Sequence, residues 1–174
     1  MDNFEQGLHK NDANFVPLTP ISFLERVKDV YPDYEAIIYK ERKYTWKQIY
    51  NRCIRFASAL SKVGVGKGDV VSIMATNTPE TFEAHYSVPM TGGVLNTINT
   101  RLDTRTVAYI LDHSDCKVFI VDRQFHDVAI EALAKVKREI TVIDIDDQQA
   151  NLGELPSIGK LEYENFLLTG DEDY

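Results

Sequence analysis

The chain has 174 residues, of which 44% are hydrophobic and 26% are charged, and its formal net charge is −8. This composition is typical of a soluble globular domain and excludes a collagen-like repeat or a disordered chain, while the acidic balance excludes a general nucleic-acid-binding protein. The length allows ~70% of the unfolded surface to be buried, which suffices for one core but not for two full enzyme domains.

The first predicted elements are a helix and a β-hairpin. Thr19 is a helix cap in front of Pro20, and the Tyr-Pro-Asp sequence at 31–33 ends the helix. Residues 36–39 and 43–45 predict two short strands joined by a charged turn. The apolar residues of the helix, at helical spacing, are Phe23, Leu24, Val27 and Val30.

A second helix is predicted directly after the hairpin. Thr45 and Gln48 form a capping box, in which each side chain bonds to the backbone amide of the other residue. Gly64 is a natural end cap for this helix. Apolar residues at steps of four, three and four predict its buried face, which consists of Ile49, Cys53, Phe56 and Leu60.

The middle of the chain alternates apolar runs with helix-length segments. The runs predict four parallel strands, with the first two adjacent, near residues 70–75, 94–98, 117–121 and 140–145. The helices between them are predicted from Asn77 onward, from Asp103 or Thr104 onward, and through Val128, Leu133 and Val136. Because right-handed crossovers place helices on both faces, the predicted fold is a doubly wound, mostly parallel α/β sheet.

The sequence divides into an N-terminal extension (1–16), an α/β subdomain that includes the hairpin (17–145), and an acidic segment with a short helix near 163–168 (146–174). The excess negative charge lies at the C-terminal end, since nine acidic residues but one base, Lys160, occur from residue 144 onward. We interpret this end as a solvated, partly mobile tail. The alternative is a surface that meets basic residues elsewhere in the protein.

Candidates for catalysis or metal binding are few. The two cysteines belong to no CxxC pair, and the four histidines have no metal spacing and no nucleophile motif beside them. These residues are Cys53, Cys116, His9, His85, His113 and His126. The sequence therefore assigns no catalytic, cofactor-binding or metal-binding residue.

Two turns have features of a phosphate-binding loop. The glycine-rich turn at 64–69 follows a helix rather than a strand and lacks the Walker pattern, so we interpret it as a helix-to-strand turn. The turn at 77–79 follows a strand and opens a helix, where free backbone amides can hold an anion. Because every strand–helix unit has such a turn, we interpret this one as a helix cap.

The sequence shows no signal for secretion or membrane insertion. The N-terminus lacks a basic start followed by an apolar stretch. The longest uncharged run, residues 84–100, is interrupted by proline and glycine and is too short to span a bilayer. Together with two free thiols, these features predict a cytoplasmic protein without a membrane span.

One long segment carries a family resemblance. Residues 83–103 read EAHYSVPMTGGVLNTINTRLD, and the order of the turns and apolar runs around them agrees. This pattern, from about Pro17 to the last residue, resembles the N-terminal region of acyl-CoA synthetases in the adenylate-forming (AMP-binding) superfamily. Residues 96–102 most resemble the medium- and long-chain fatty-acid or methylthio-acid ligases. The other matching segments are residues 44–49, 64–69, 77–80, 107–114 and 117–122.

The resemblance implies that the chain is part of the large N-terminal domain of an adenylate-forming enzyme. The complete enzyme would be an ATP-dependent acid–CoA ligase of fatty acid metabolism, using ATP, Mg²⁺ and CoA. The family's phosphate loop, adenine-contact element, ribose-binding Asp and catalytic Lys have no counterpart in this sequence. Residues 169–171 (Thr-Gly-Asp) occur too early to be the ribose motif. We therefore expect this chain alone to bind no cofactor and to be inactive.

The resemblance also implies partners. These are the remainder of the parent ligase and, for the whole enzyme, a carboxylic acid substrate. A stripe formed by Phe82, Tyr86 and Met90 would lack its packing partner in the isolated chain, which predicts self-association, such as a homodimer. The alternative function is a freestanding α/β binding or assembly module, and a third reading is a flavodoxin-like nucleotide-binding protein.

Overall fold

The structure is a computed structural model that describes Gly7 and residues 9–174. Of the predicted N-terminal extension, residues 1–6 and 8 lie outside the described residues. The helices are α1 (Pro20–Val30), α2 (Trp46–Lys62), α3 (Pro79–Met90), α4 (Thr104–His113), α5 (His126–Leu133) and α6 (Tyr163–Leu167). The strands are β1 (Glu35–Tyr39), β2 (Arg42–Thr45), β3 (Val70–Met74), β4 (Val94–Thr97), β5 (Cys116–Asp122), β6 (Thr141–Ile145) and β7 (Leu161–Glu162).

A five-stranded sheet in the order β4-β3-β5-β6-β7 forms the centre of the protein, and all of its neighbouring strands are parallel. The four predicted strands and the adjacency of the first two are therefore confirmed. The fifth strand, β7, has only two residues, and its sequence was too short to give a strand pattern. A separate antiparallel hairpin joins β1 to β2, as predicted.

Side chains alternate between the two faces of the sheet and so build two cores. Val71 and Val118 belong to a cluster beneath α2, α3 and α6. Met74 and Phe119 belong to a second cluster on the opposite face, beneath α4 and α5. This burial on both faces explains why the strands read as continuous apolar runs. In the described part of the chain, no helix is both long and apolar enough to cross a bilayer.

The predicted caps at the starts of α1, α2 and α4 are confirmed, whereas α5 ends at Leu133, before the predicted Val136. Thr19 and Thr45 each cap a helix through a capping box, with Ser22 and Gln48 as the reciprocal partners. Asp103, rather than Thr104, caps α4 and accepts hydrogen bonds from two backbone amides. All four residues predicted for the buried face of α2 are fully buried, namely Ile49, Cys53, Phe56 and Leu60.

Two apolar faces differ from the expectation. On α1 only Leu24 is fully buried, while Phe23 and Val30 are more than half exposed. On α3 the stripe formed by Phe82, Tyr86 and Met90 is not bare, because it packs against a third cluster made by Leu24, Ile49 and Cys53. Many of the exposed large hydrophobic side chains lie in the N-terminal part of the described chain, between Phe15 and Ile38, whereas the α3 stripe is partly covered.

The C-terminal part of the acidic segment packs on α2 through α6, which differs from the predicted solvated, partly mobile tail, although residues 151–154 are exposed. Tyr163 and Phe166 of α6 are buried against Phe56 of α2, Tyr163 stacked on its ring and Phe166 edge to face with it. Gly170 passes so close to α2 that an added Cβ would lie 1.8 Å from the backbone oxygen of Arg55. Three acids of this segment, Glu164, Asp171 and Glu172, pair with basic residues of α2. This agrees with the alternative prediction of a surface that meets basic residues, and these bases belong to the same chain.

Candidate functional site

The sheet order places a crevice at the carboxyl ends of β3 and β5. From β3 the chain runs outward to β4 and then returns to β5 on the other side of β3, so the strand order reverses there. Open α/β sheets bind ligands at such a point. Here Gln124 spans the crevice, because its Nε2 lies 2.7 Å from Asp122 Oδ2 and 3.5 Å from Thr76 Oγ1. Burial raises the pKa of Asp122.

A groove runs beside this crevice, between β1 and α3, and is called the β1–α3 groove below. Its volume is about 490 Å³. One wall is the strand segment 37–39, and the other is the α3 face that carries Phe82 and Tyr86. The residues that line the groove are Ile37, Ile38, Tyr39, Asn77, Thr78, Pro79, Thr81, Phe82, His85 and Tyr86.

The turn at 77–79 forms the polar end of the groove. Thr78 is the cap residue of α3, as predicted, although its side chain makes no capping hydrogen bond. The Thr81 hydroxyl donates to the Thr76 carbonyl oxygen at 2.7 Å, and His85 Nδ1 lies 2.8 Å from the Thr81 carbonyl oxygen. Among the described residues that line the groove none is Lys or Arg, and His85 is the one imidazole.

A buried ionic network joins α2, α3 and α6 behind the groove. The fully buried Glu83 of α3 accepts hydrogen bonds from Arg52 Nε at 2.5 Å and from the Tyr163 hydroxyl at 2.9 Å. Arg52 also donates to Glu164 of α6 at 2.6 Å. Glu80, one turn earlier in α3, is held by Arg42 of β2 at 2.6 Å.

The electrostatics of Glu83 follow from its burial. Burial raises the pKa of this carboxyl to about 7, because a charge inside the core loses its hydration, while Arg52 and the Tyr163 hydroxyl oppose the shift. The same burial, together with the neighbouring carboxylate, raises the pKa of Tyr163. These groups are bonded to one another and tie three helices together, so their arrangement is that of a structural network.

A second polar cluster lies where β6 ends. Arg123 donates to Asp144 at 3.2 Å and to Asp146 at 2.6 Å. The Tyr39 hydroxyl donates to Asp147 at 2.5 Å, and burial together with this bond raises the pKa of Tyr39 to about 12. The acids at the end of β6 are therefore paired with the hairpin and with Arg123, which directly follows β5, and they do not form an open acidic site.

The glycine-rich turn at 64–69 is a structural turn, as predicted. Gly64 has a φ of +85°, which glycine adopts without strain. Asp69 accepts from the Gly66 amide at 2.8 Å and from Lys117 Nζ at 3.0 Å. These hydrogen bonds lower the pKa of Asp69. The turn thus uses its own carboxylate where a phosphate loop would leave its amides free.

The cysteines and histidines do not assemble. Cys53 and Cys116 are both free and buried, and burial raises the pKa of each thiol. His113 stacks on Tyr109, and His126 faces Asp127. Within the described residues, no three His, Cys, Asp or Glu side chains are placed to hold a metal ion.

Sequence reasoning missed the partners of the buried charges. Arg52 and Glu83 are 31 residues apart, and Arg52 and Glu164 are 112 apart. The only sign of a buried charge in the sequence is a charged residue within a helix predicted to have an apolar face. Such a residue does not reveal which distant residue it pairs with.

Comparison with known proteins points to one family. The sequence profile described as AMP-binding enzyme matches residues 24–167. The chain is 42% identical to a peroxisomal acetate/butyrate–CoA ligase of Arabidopsis thaliana, over 96% of this chain and 31% of that protein. It is also 42% identical to a peroxisomal trans-cinnamate:CoA ligase of Petunia hybrida, again over 96% of this chain and 31% of that protein.

A solved structure shows the same fold. The anthranilate CoA ligase AuaEII superposes with a TM-score of 0.78 at 22% identity, over 87% of this chain and 28% of that chain. The chain thus spans about a third of the length of the curated relatives it matches.

Proposed function

The chain belongs to the AMP-binding enzyme family, and on that premise we propose that it is the N-terminal part of an ATP-dependent acid–CoA ligase. The observation that carries this proposal is the 42% identity to a CoA ligase over 96% of the chain. The match over nearly the whole chain supports a region of such an enzyme rather than a freestanding module.

The proposed reaction has two steps. A carboxylate attacks the α-phosphorus of ATP, which forms an acyl-adenylate and releases pyrophosphate. The thiol of CoA then attacks the acyl carbon, which forms the thioester and releases AMP. The first step is needed because a carboxylate is a poor electrophile, whereas a mixed anhydride has a good leaving group.

The described residues do not fit the phosphates of ATP or a Mg²⁺ ion. The β1–α3 groove is lined by no Lys or Arg, the turn at 64–69 is bonded to its own Asp69, and no cluster of metal ligands occurs in the described part. We therefore assign no step of the reaction to this chain, and propose that it supplies the scaffold on which the rest of the enzyme is built.

The acid substrate has two candidates, each supported by a different similarity. The resemblance of residues 96–102 supports a medium- or long-chain fatty acid or a methylthio acid. The relatives that match over nearly the whole chain are named for acetate and butyrate and for trans-cinnamate. An acid panel of increasing chain length, with cinnamate included, distinguishes them by the ratio kcat/KM.

The test uses the complete protein and the 174-residue chain in parallel. Pyrophosphate release from ATP is measured with the acid panel, and thioester formation is measured after CoA is added. We expect an acid-dependent rate for the complete protein and a rate equal to the protein-free blank for the chain alone. No acid-dependent rate from a folded complete protein would refute the ligase proposal. A clear rate from the pure chain would refute its proposed inactivity.

We also propose a cytoplasmic location, supported by the two free thiols. The relatives described above carry peroxisomal names, which makes the peroxisome the competing location. A fluorescent fusion of the complete protein, tagged at either end in turn so that terminal targeting signals stay free, distinguishes the two. Diffuse cytoplasmic signal is expected, and punctate overlap with a peroxisomal marker would contradict it.

A further inference from the structure

One arginine lies between two carboxylates where α2, α3 and α6 meet. Arg52 Nε lies 2.5 Å from Glu83 Oε1, and Arg52 Nη2 lies 2.6 Å from Glu164 Oε1. The Glu83 side chain has no exposed surface, whereas the Glu164 side chain is 46% exposed. Two negative charges thus share one positive charge, and the Glu83 carboxylate is the one that water cannot hydrate.

The other ionisable groups around Glu83 add no second cation to it. The Arg42 guanidinium of β2 is bonded to Glu80. The Tyr163 hydroxyl donates to Glu83 Oε2 at 2.9 Å, and burial raises the pKa of this phenol, so it stays neutral. An ionised Glu83 therefore depends on a guanidinium that Glu164 also holds. The charged and titratable groups that face this cluster are Arg52 and Cys53 of α2, Glu80 of α3, Tyr163 and Glu164 of α6, and Arg42 and Tyr44 of β2.

Among the helices that cover Glu83, α6 is the one most easily removed. It has five residues, against 17 for α2 and 12 for α3. The chain before it includes the exposed residues 151–154, and β7, directly in front of α6, has two residues. The residues after α6 are held on α2 by partly exposed ion pairs, such as that between Lys62 and Asp171, and such pairs contribute little. Short elements with few buried contacts open locally at a lower free energy than the core.

We propose that ionisation of Glu83 promotes a local opening in which residues 163–174, called the α6 segment below, leave α2 while the sheet stays folded. Tyr163 contacts the buried carboxyl directly, so departure of α6 brings water to Glu83 and hydrates its charge. The interface between α2 and α6 is thus a pH-sensitive attachment for the α6 segment. This attachment operates in the same way whether or not the complete protein is a ligase.

The direction of the pH effect follows from proton linkage. In the closed state, burial raises the pKa of Glu83 to about 7, against an ordinary value of 4.5. In the opened state the hydrated carboxyl regains its ordinary pKa and releases its proton more readily. Opening is therefore least favourable below pH 4.5, becomes more favourable as the pH rises to about 7, and changes little above that. Between pH 5 and pH 7 the equilibrium constant for opening should rise by up to about 40-fold.

Hydrogen exchange of the complete protein at pH 5, 6 and 7 measures this opening. The reporters are the amides of Leu168, Thr169 and Gly170, which donate to backbone oxygens within residues 164–167. Their exchange rates are divided by the intrinsic rate at each pH, under conditions in which reclosing outpaces exchange. We expect the protection of these amides to fall at least about tenfold from pH 5 to pH 7. The amides of β5, which lies between β3 and β6, should remain more protected at every pH.

Two variants assign the effect to Glu83. In Glu83→Gln the side chain keeps nearly the same shape but does not titrate, so the protection of the same three amides should change less than about twofold over this pH range. Glu164→Gln removes the half-exposed partner of Arg52 and leaves Glu83 buried, so the fall in protection with rising pH should persist.

Four results would overturn the inference. They are protection that does not vary with pH in the natural protein, an equal fall in Glu83→Gln, loss of the fall in Glu164→Gln, and exchange of the β5 amides at the rate of the α6 segment. The last result would mean that the whole protein unfolds rather than the α6 segment alone. The first and the last need no substitution, so they are decisive even if the Glu83→Gln variant does not fold.

Discussion

Replacing Glu83 by Gln should remove a large pH dependence from the stability of this chain. Glu83 is fully buried between α2, α3 and α6, and its carboxyl has a pKa of about 7 in the folded state against an ordinary value of 4.5. A folded-state pKa above the unfolded value means that stability is fully present below pH 4.5 and is lost as the pH rises through about 7. Gln has nearly the same shape but does not titrate.

The magnitude follows from the two pKa values. Between pH 5 and pH 8, this single carboxyl should lower the free energy of unfolding by about 2–3 kcal/mol, at about 1.4 kcal/mol for each tenfold difference in proton affinity. The Gln variant should lack this decrease. The amide oxygen of the Gln side chain can still accept a hydrogen bond from the Tyr163 hydroxyl, so the variant should remain folded. Its free energy of unfolding, relative to that of the natural protein, should increase as the pH rises.

The assay is urea denaturation at pH 5, 6, 7 and 8, followed by Trp46 fluorescence and by far-UV circular dichroism. Glu164→Gln is the matched control, because it removes a half-exposed carboxylate bonded to the same Arg52 guanidinium. It should cost about 0.5 kcal/mol and keep the pH dependence of the natural protein. If the curves of unfolding free energy against pH are parallel for Glu83→Gln and the natural protein, the reasoning is refuted. The Glu83 carboxyl would then have the same pKa in the folded and the unfolded protein.

Four further predictions concern the same structure. Arg52→Met should cost about 3–5 kcal/mol at pH 8 because it leaves Glu83 buried without its cation, and less at pH 5; an equal loss at both pH values in urea melts would contradict this. Ile73→Asp, in the centre of β3, should cost more than ~3 kcal/mol, against under ~1 kcal/mol for Val94→Asp at the exposed edge; a loss below ~1 kcal/mol for Ile73→Asp would show that β3 is not central. Gly170→Ala should cost about 1–3 kcal/mol, because the new Cβ meets the α2 backbone, whereas Gly66→Ala, whose Cβ would have its nearest neighbour at 4.0 Å, should have little effect in the same thermal melts. The isolated 174-residue chain should associate with itself as its concentration rises in light scattering, since large hydrophobic side chains between Phe15 and Ile38 are exposed; a folded monomer that binds no apolar dye would exclude this.

Local signals were sufficient for most of the fold. The capping boxes at Thr19 and Thr45 set the starts of α1 and α2, because both partners of each box lie within one turn of the chain. The apolar runs from residue 70 onward identified a parallel sheet covered on both faces, since only such strands bury every side chain. Periodicity over short windows contains this information, and it needs no knowledge of distant contacts.

The candidate site was predicted only in its outline. The turn at 77–79 was recognised as the start of a helix at a strand end, but the groove beside it was not. The second wall of that groove is β1, which lies about 40 residues earlier and forms a separate sheet. No spacing rule relates an edge strand to a helix in another layer, so the sequence could not indicate that they lie together.

The sequence by itself determined the α/β class, the helix caps and, by resemblance, the family. Tertiary structure alone decided that the C-terminal part of the acidic segment packs on α2, and that Arg52 joins Glu83 to Glu164. Helix formation depends on neighbours three or four residues apart and strand formation on the alternation of successive residues, and the sequence shows both directly. The pairing of charges depends on which surfaces the fold brings together, and their desolvation depends on how much of the chain covers them. Both are therefore properties of the packed chain.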